Sequence, residues 1–489
     1  MGMVDIPNLC LIWSTLMKGY VYLAFLFFAP VLLHAQYTLT QIGYRNDANS
    51  FTQPEAPIVG NGGVAYWHDA GAGADGGERI LSYPGGLVAA DTRTTSVAGD
   101  FPVGIPQDTY NGKLLVQGRY FEPFGGGYSI LSTLVEYPGG ADLVTPFSAF
   151  PDGIPSNDSI QIGQGLYDSD GSVVFGLRQV QSPNVLFTAI ARYSAGSITI
   201  LAKSGETPMP GVTNTFTGVG PYFSTGGGTT FFYGVGASKS GLYQLTGGII
   251  TKVLENGDPW PAGTGTVNLL SGAFSMSFAN EGQNVAVALT DSFGAVFKRI
   301  NGTWSLVAKD GDSIPNGNGV FFNMAAPSIH GGKVMFYGFR SNPFALPLQL
   351  GIYVESAGGY TPVVDLNANF GGIAVASMLV TSVGGRYWDG QNVGFNVSDS
   401  GPSTRANYLA MPGATTTNNL RIGSFDLQGA GGTPRLTFQT SNGISYHIEE
   451  SSNLVNWASV TQFTGDGAVK TVTNLLLSGQ RKFYRIATP

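Results

Sequence analysis

Cysteine is almost absent. The 489-residue chain has one, Cys10, ahead of the apolar run that opens the sequence. Beyond residue 35 there is none, which excludes a disulfide framework, a thiol nucleophile and a cysteine-ligated metal in that part of the chain. Histidine is scarce as well. His68, His330 and His447 stand in separate stretches with no i, i+4 pair, so no histidine zinc motif is present. Charged residues are 11% of the chain, against about 25% in a typical soluble domain. With 24 basic and 31 acidic residues the net charge is −7. That leaves no basic field for phosphates, and nucleic acid is excluded as a partner class. Neither a Gly-x-Ser-x-Gly nucleophile elbow nor a Gly-x-x-x-x-Gly-Lys-Ser/Thr phosphate loop occurs. No 12-residue window carries a helical apolar stripe with start and stop signals.

What is abundant is glycine, 71 residues, together with 12% aromatics. The glycines follow no every-third-residue rule, so the chain is not collagen-like. The aromatics supply ample apolar bulk for a core. Such a composition points to many short strands joined by tight turns, an all-β fold.

The N-terminus reads as an export signal, residues 1–35. Met17-Lys18 precedes an uncharged apolar stretch from Tyr20 to Leu33, and Leu33-His34-Ala35 offers a small residue for cleavage after Ala35. Fourteen residues at about 1.5 Å each fall short of the roughly 30 Å hydrocarbon core, which favours a cleaved signal over an anchor. The expected product is secreted or surface-located, without a membrane span after cleavage, and monomeric.

Between about residues 36 and 413 the chain repeats itself. Leu201-Ala202-Lys203-Ser204-Gly205-Glu206-Thr207-Pro208 resembles Val253-Leu254-Glu255-Asn256-Gly257-Asp258-Pro259. Both resemble Val307-Ala308-Lys309-Asp310-Gly311-Asp312-Ser313-Ile314-Pro315. Weaker copies surround Gly99 and Gly153, so the marker glycines 99, 153, 205, 257 and 311 are 54, 52, 52 and 54 apart. A step forward reaches Asp365 and a step back reaches Gly43, giving seven units. A second marker, a glycine turn before an apolar strand, recurs in phase: Gly62-Gly63, Asn111-Gly112, Asp170-Gly171, Gly227-Gly228, Gln283-Asn284, Gly331-Gly332 and Gln391-Asn392. The clearest unit holds four strand-like runs, around Pro327-Ser328-Ile329, then Val334 to Phe339, Gly351 to Val354 and Thr361 to Asp365. Four strands in about 53 residues, seven times over, predict a seven-bladed β-propeller. These units resemble the NxxGxxAF tandem repeats of exported bacterial proteins, a likeness that implies a propeller-like architecture and export but no activity.

After a turn-rich linker at 414–420 the markers stop. Residues 421–489 alternate apolar and polar, as in Tyr446-His447-Ile448-Glu449-Glu450-Ser451, and continue to Asn453-Leu454, Trp457 and Phe483-Tyr484-Arg485. This pattern resembles the small fibronectin III-like C-terminal β-sandwich of secreted Verrucomicrobia and Planctomycetes proteins, with Trp457 expected in its core.

Candidates for chemistry are few. Glycoside hydrolysis needs two carboxylates a few ångström apart, one with a raised pKa. The conspicuous acids, Asp100, Glu206, Asp258 and Asp312, instead recur in phase, as turn-forming groups would. Asp310, Asp312, Asn316 and Asn318 carry enough oxygens for a calcium loop, the one cofactor the sequence suggests. Trp67, Trp260 and Trp388 are the candidate binding residues, since an exposed ring stacks on sugars or peptides. The expected role is non-catalytic binding or scaffolding, with a polysaccharide or a cell-envelope protein as partner. The alternative is a secreted carbohydrate-active enzyme with its site at the propeller's central mouth.

Overall fold

The structure, a computed structural model, describes residues 37–46, 56–60, 62–70, 78–90, 99–124, 127–181, 184–269, 276–290, 294–315, 319–340, 349–356, 359–365, 368, 370, 373, 375, 377–380, 384–399 and 404–412. Further on it describes 422–428, 433–439, 445–451, 458–465, 468–472 and 483–487. Every named element among them is a β-strand, and no helix is long and apolar enough to cross a membrane. The expected signal segment, the 414–420 linker and Trp457 lie outside the described residues.

Seven four-stranded antiparallel sheets form the blades of a seven-bladed β-propeller. Blades 1 to 6 occupy residues 58–90, 99–144, 160–203, 218–255, 276–309 and 321–365. In each the chain runs outward from the axial strand through three hairpins. The four runs read from sequence in the sixth unit are the strands Phe321–His330, Lys333–Arg340, Gln349–Ser356 and Gly359–Asp365.

Blade 7 is closed differently. Residues 377–412 give three strands, and the fourth is the N-terminal strand Tyr37–Asn46, paired antiparallel with Thr404–Pro412. The first residues of the repeat region thus complete its last sheet, and the ring is locked by main-chain hydrogen bonds rather than by a covalent link.

The core lies between blades. Buried apolar residues separate into clusters that each span one blade interface; Leu166, Val174, Phe216, Phe232 and Tyr243, for example, fill the space between blades 3 and 4. A Phe-Phe-Tyr group recurs in three of these layers. Phe216 meets Tyr243 edge-on at 4.9 Å, Phe321 meets Tyr353 at 5.0 Å and Phe370 meets Tyr408 at 5.5 Å. No blade buries both of its faces alone, so the apolar term that holds each sheet is supplied by its neighbours.

The recurring glycine-acid marker has a single geometric cause. After the outer strand of blade 5, the Gly311 N–H donates to Phe321 O at 2.9 Å, with φ at +86°. Asp312 Oδ2 accepts the Lys309 N–H at 2.9 Å. In the preceding copy Gly257 donates to Val267 O at 2.8 Å, and Asp258 accepts the Glu255 N–H at 2.9 Å. This miniature hairpin turns the chain from one blade's rim to the next blade's axial strand. In the copy at Gly205, Thr207 Oγ1 takes the acceptor role for Lys203 N–H, while Glu206 pairs with the Lys203 ammonium at 2.6 Å. The weak copy at Gly99 differs: Gly99–Tyr110 is already the axial strand of blade 2.

The C-terminal region carries two three-stranded sheets. One joins Ile422–Gln428, Thr433–Gln439 and Val469–Val472, and the other joins Ser445–Ser451, Ala458–Thr464 and Phe483–Ala487. Tyr446 and Ile448 are fully buried, and the Tyr446 ring stacks on Phe463 at 5.9 Å.

Asp258→Ala leaves the Glu255 amide without its charged acceptor, a loss of about 1–2 kcal/mol. The urea midpoint is expected to fall accordingly, and to fall less in Asp258→Asn, which keeps an acceptor oxygen.

Candidate functional site

The hairpins between each blade's axial strand and its second strand gather at one end of the propeller axis. They are tight because glycine or asparagine supplies the positive φ that two-residue turns need: +47° and +79° at Asn111-Gly112, +55° and +71° at Gly331-Gly332. Short turns bring seven strand ends close together, and a cavity of about 390 Å³ opens between them. Every blade contributes to its lining, among others through Val59, Asp108, Asp168, Gly227, Glu281, His330 and Arg386.

The carboxylates at this mouth share one function. Each accepts backbone N–H groups from the next blade round the ring. Asp108 of blade 2 accepts Tyr167 N–H of blade 3 at 2.9 Å, and Asp168 of blade 3 accepts Gly228 N–H of blade 4 at 2.8 Å. Glu281 of blade 5 accepts Gly331 and Gly332 of blade 6 at 3.0 and 3.3 Å. Asp389 of blade 7 accepts Gly63 of blade 1 at 3.1 Å. Neutral groups fill two of the remaining positions: Asn280 N–H donates to Ser224 Oγ at 3.1 Å, and the Ser328 hydroxyl donates to Gly385 O at 2.7 Å.

The floor is made by blade 7. Its axial strand pairs only through Ser377–Leu379 and then resumes at Trp388, which bridges to Val393. Of the described residues between, Gly384 to Arg386 lie outside its regular pairing. A methyl group on Gly384 would meet Leu166 of blade 3 at 3.0 Å, and one on Gly385 would meet Ala279 of blade 5 at 2.7 Å. Both glycines have positive φ, +51° and +73°, so the segment can lie this close to the opposing blades. It carries Arg386 across the axis. Arg386 Nη2 donates to Thr225 O of blade 4 at 3.0 Å, and Nε lies 3.1 Å from Asp108 Oδ1 of blade 2. One side chain therefore ties blade 7 to blades 2 and 4.

Burial pushes the Asp108 carboxyl up, against the pull of the Arg386 guanidinium and of the Thr109 and Tyr167 amides. Asp168 is 2% exposed and holds Arg192 at 2.8 Å as well as the Ser169 and Gly228 amides. In the same hairpin, the Ser172 hydroxyl and amide hold the Asp170 carboxyl below its usual range. Asp389 accepts Gln391 and Asn392 N–H at 2.9 and 2.6 Å in addition to Gly63. None of these acids stands as a free pair flanking an open space.

The three candidate tryptophans are not brought together. Trp67 is 5% exposed in the second strand of blade 1, at the position that Phe232, Phe336 and Phe395 occupy in blades 4, 6 and 7. Trp388 is 6% exposed and lines the cavity, its ring edge-on to His330 at 6.1 Å. Its Nε1 is buried with no acceptor. Trp260 is half-buried in the connector after blade 4. It meets Phe297 edge-on at 5.4 Å and donates Nε1–H to Thr266 O at 3.1 Å.

Of the calcium candidates, Asn316 and Asn318 lie outside the described residues. Asp312 accepts the Lys309 amide and the Tyr360 hydroxyl. Asp310 Oδ2 accepts Gly294 N–H at 2.8 Å, while Oδ1 is buried without a partner. No group of three or more metal-ligating side chains occurs among the described residues.

Asp108, Arg386 and Asp389 escape a reading of the sequence because none lies in a repeated marker.

The class defined by fold and mouth is a seven-bladed β-propeller whose axial opening is floored from within. Residues 152–371, from the connector ahead of blade 3 to just past blade 6, match a family of unknown function, DUF7453. No curated protein matches the chain. Among solved structures it is similar to the β-propeller domain of the Trilobed protease from Pyrococcus furiosus, at 9% identity and TM-score 0.32, covering 65% of this chain and 94% of that one. It is also similar to the Pyrococcus horikoshii acylaminoacyl peptidase, at 9% identity and TM-score 0.39, covering 81% of this chain and 60% of that one. A third is the Penicillium chrysogenum alpha-L-arabinanase, at 8% identity and TM-score 0.30, covering 62% and 91%.

Arg386→Ala strands the buried Asp108 carboxylate, and breaking such a pair costs about 3–5 kcal/mol. A large drop in the urea midpoint is expected. Burial raises the Asp310 carboxyl from 3.8 to about 6. Between those values the folded state holds a proton that the unfolded state has released, so its contribution to stability falls as pH rises through the window. Asp310→Asn removes that dependence. The variant should gain in melting temperature over the parent as pH rises from about 4 to 6, and a constant difference would refute the assignment.

Proposed function

We propose that this protein is a non-catalytic binding or scaffold protein, exported and monomeric, whose partner is a polysaccharide or another envelope component. The observation that supports it most is the engagement of the mouth carboxylates. A general acid or nucleophile must be able to exchange a proton or attack a substrate atom. Asp108, Asp168 and Asp389 each spend both oxygens on backbone amides, an amide side chain or an arginine. Glu281 spends both oxygens on the Gly331-Gly332 turn. Moving any of them toward a substrate would open a seam between blades. A rigid, preorganised mouth with exposed hairpin backbone suits recognition, which gains from the small ordering cost.

Incubating residues 36–489 with soluble and insoluble polysaccharides, while following protein depletion and new reducing ends together, tests this reading. Depletion without new ends is the expected result. Release of reducing ends would establish the carbohydrate-active alternative instead, and depletion by none of them would leave an envelope protein as the partner.

A further inference from the structure

The second strands of the blades share a register, and at one position of it several blades carry a large side chain while blade 3, like blade 5 with Ala288, does not. Counting from the turn, the fifth residue is Tyr233 in blade 4 and Tyr337 in blade 6, and both are buried against the following blade. Tyr337 shows the purpose of the position: its hydroxyl donates to Met378 O on the axial strand of blade 7 at 2.5 Å. Gln117 does the same from blade 2, donating to Ile162 O of blade 3 at 3.1 Å. In blade 3 the corresponding residue is Gly176.

Nothing replaces the missing side chain. A methyl group on Gly176 would approach Gly163 Cα at 3.8 Å and Phe223 Cε1 of blade 4 at 3.9 Å, so it would point toward the blade 3–4 interface with ordinary contacts only. The opposing residue, Gly163, is also bare. Around this pair lies a cavity of about 270 Å³. Its apolar floor includes Ile162, Leu177, Ala189 and Val219, all buried. Gln161 to Gln164 lie at the start of the axial strand Ile160–Tyr167, whose far end forms the axial mouth, so this is a separate site.

The polar groups on its walls are mixed in kind. Gln117 and Gln164 donate their Nε2 to Ile162 O and Phe223 O, at 3.1 and 3.2 Å, and so keep their Oε1 acceptors. Gln161 Oε1 accepts from Arg178 Nε at 2.6 Å. The Gln161 amide N–H₂ and the terminal nitrogens of exposed Arg178 remain as donors without a protein partner among the described residues. Ser132 adds a hydroxyl, and the Thr188 hydroxyl, which accepts Val219 N–H at 2.8 Å, keeps its own O–H as a donor. Among the described residues no carboxylate lines the cavity.

We propose that this inter-blade cavity is a binding site for one neutral sugar ring, held by the Gln117, Gln161 and Gln164 amides and by Arg178. Planar amides and a guanidinium offer the alternating donors and acceptors that neighbouring sugar hydroxyls require, and the apolar floor faces the ring's C–H surface. The volume is below the roughly 300–1,000 Å³ of clefts for larger ligands, which sets the occupant at a single ring of a chain. The inference rests on the polysaccharide-binding reading and gives it a location.

The test is saturation-transfer NMR on residues 36–489 with a panel of neutral monosaccharides: glucose, galactose, mannose, fucose, xylose and arabinose. At least one is expected to give a signal with the parent protein. Gly176→Tyr restores the residue found in blades 4 and 6, fills the cavity and should abolish that signal. Arg178→Ala, on the exposed rim, should weaken binding about tenfold or more without altering the melting temperature, which keeps the test valid if Gly176→Tyr does not fold. Absence of any signal with the parent, or a signal unchanged in Arg178→Ala and in folded Gly176→Tyr, overturns the site. Polysaccharide depletion that persists unchanged in those variants would leave the binding reading standing and remove only this location.

Discussion

A closed ring of sheets has no independent parts, and the interaction on which this one depends is the contact between successive blades at the axis. The apolar layers supply most of the free energy, since each blade covers its neighbour's face. Apolar packing is tolerant of small sliding, however, and sheets packed only by oil would leave the angular spacing loosely set. The directional element is the circuit of hydrogen bonds at the mouth. Asp108, Asp168, Glu281 and Asp389 each reach forward to amides of the next blade. A hairpin turn exposes N–H groups that the ladder cannot pair, and a carboxylate is the strongest neutral-pH acceptor available for them. Closing each turn with the neighbour's acid therefore satisfies the turn and fixes the step between blades in one bond.

That economy constrains chemistry. An acid whose two oxygens are both engaged by donors is committed to them, whereas catalysis asks for a group free to exchange a proton. Asp108 shows the competition most sharply, with burial raising its carboxyl and Arg386 and two amides lowering it. The acids that give the mouth its negative character are the ones that cannot leave their posts. Arg386 completes the arrangement by joining three blades across the axis, so the opening is a cup and not a passage.

Much of the architecture was legible because propeller geometry imposes short-range demands. A two-residue hairpin requires positive φ, and a connector that returns to the axis within about ten residues requires the Gly311-Asp312 type of turn. Those demands leave glycines at a fixed period. The demands that escaped notice are long-range. Tyr37–Asn46 pairs with a strand some 367 residues away, and its alternating pattern names no partner. Arg386 lies in none of the repeated markers, so periodicity has nothing to say about it. Trp67 and Trp388 stood out as rare aromatics, yet rarity does not distinguish a core ring from a surface one. The register does, because Trp67 occupies the same place as three buried phenylalanines.

Gly176 teaches the complementary lesson, since its message is an omission visible only once the blades are superposed by register. A repeat protein contains its own controls: each blade reports what a position must do when it serves packing alone. In blades 6 and 2 a tyrosine and a glutamine at this position bridge to the next blade, and the bridge is worth keeping because it satisfies an axial carbonyl and fills a seam. Blade 3 gives up the bridge and the filling together and retains the glutamine amides around the gap. A cavity lined by apolar atoms alone would be read as a packing loss of the kind that cores accumulate. One ringed with unspent amide donors and acceptors is a loss that only a polar occupant would recover.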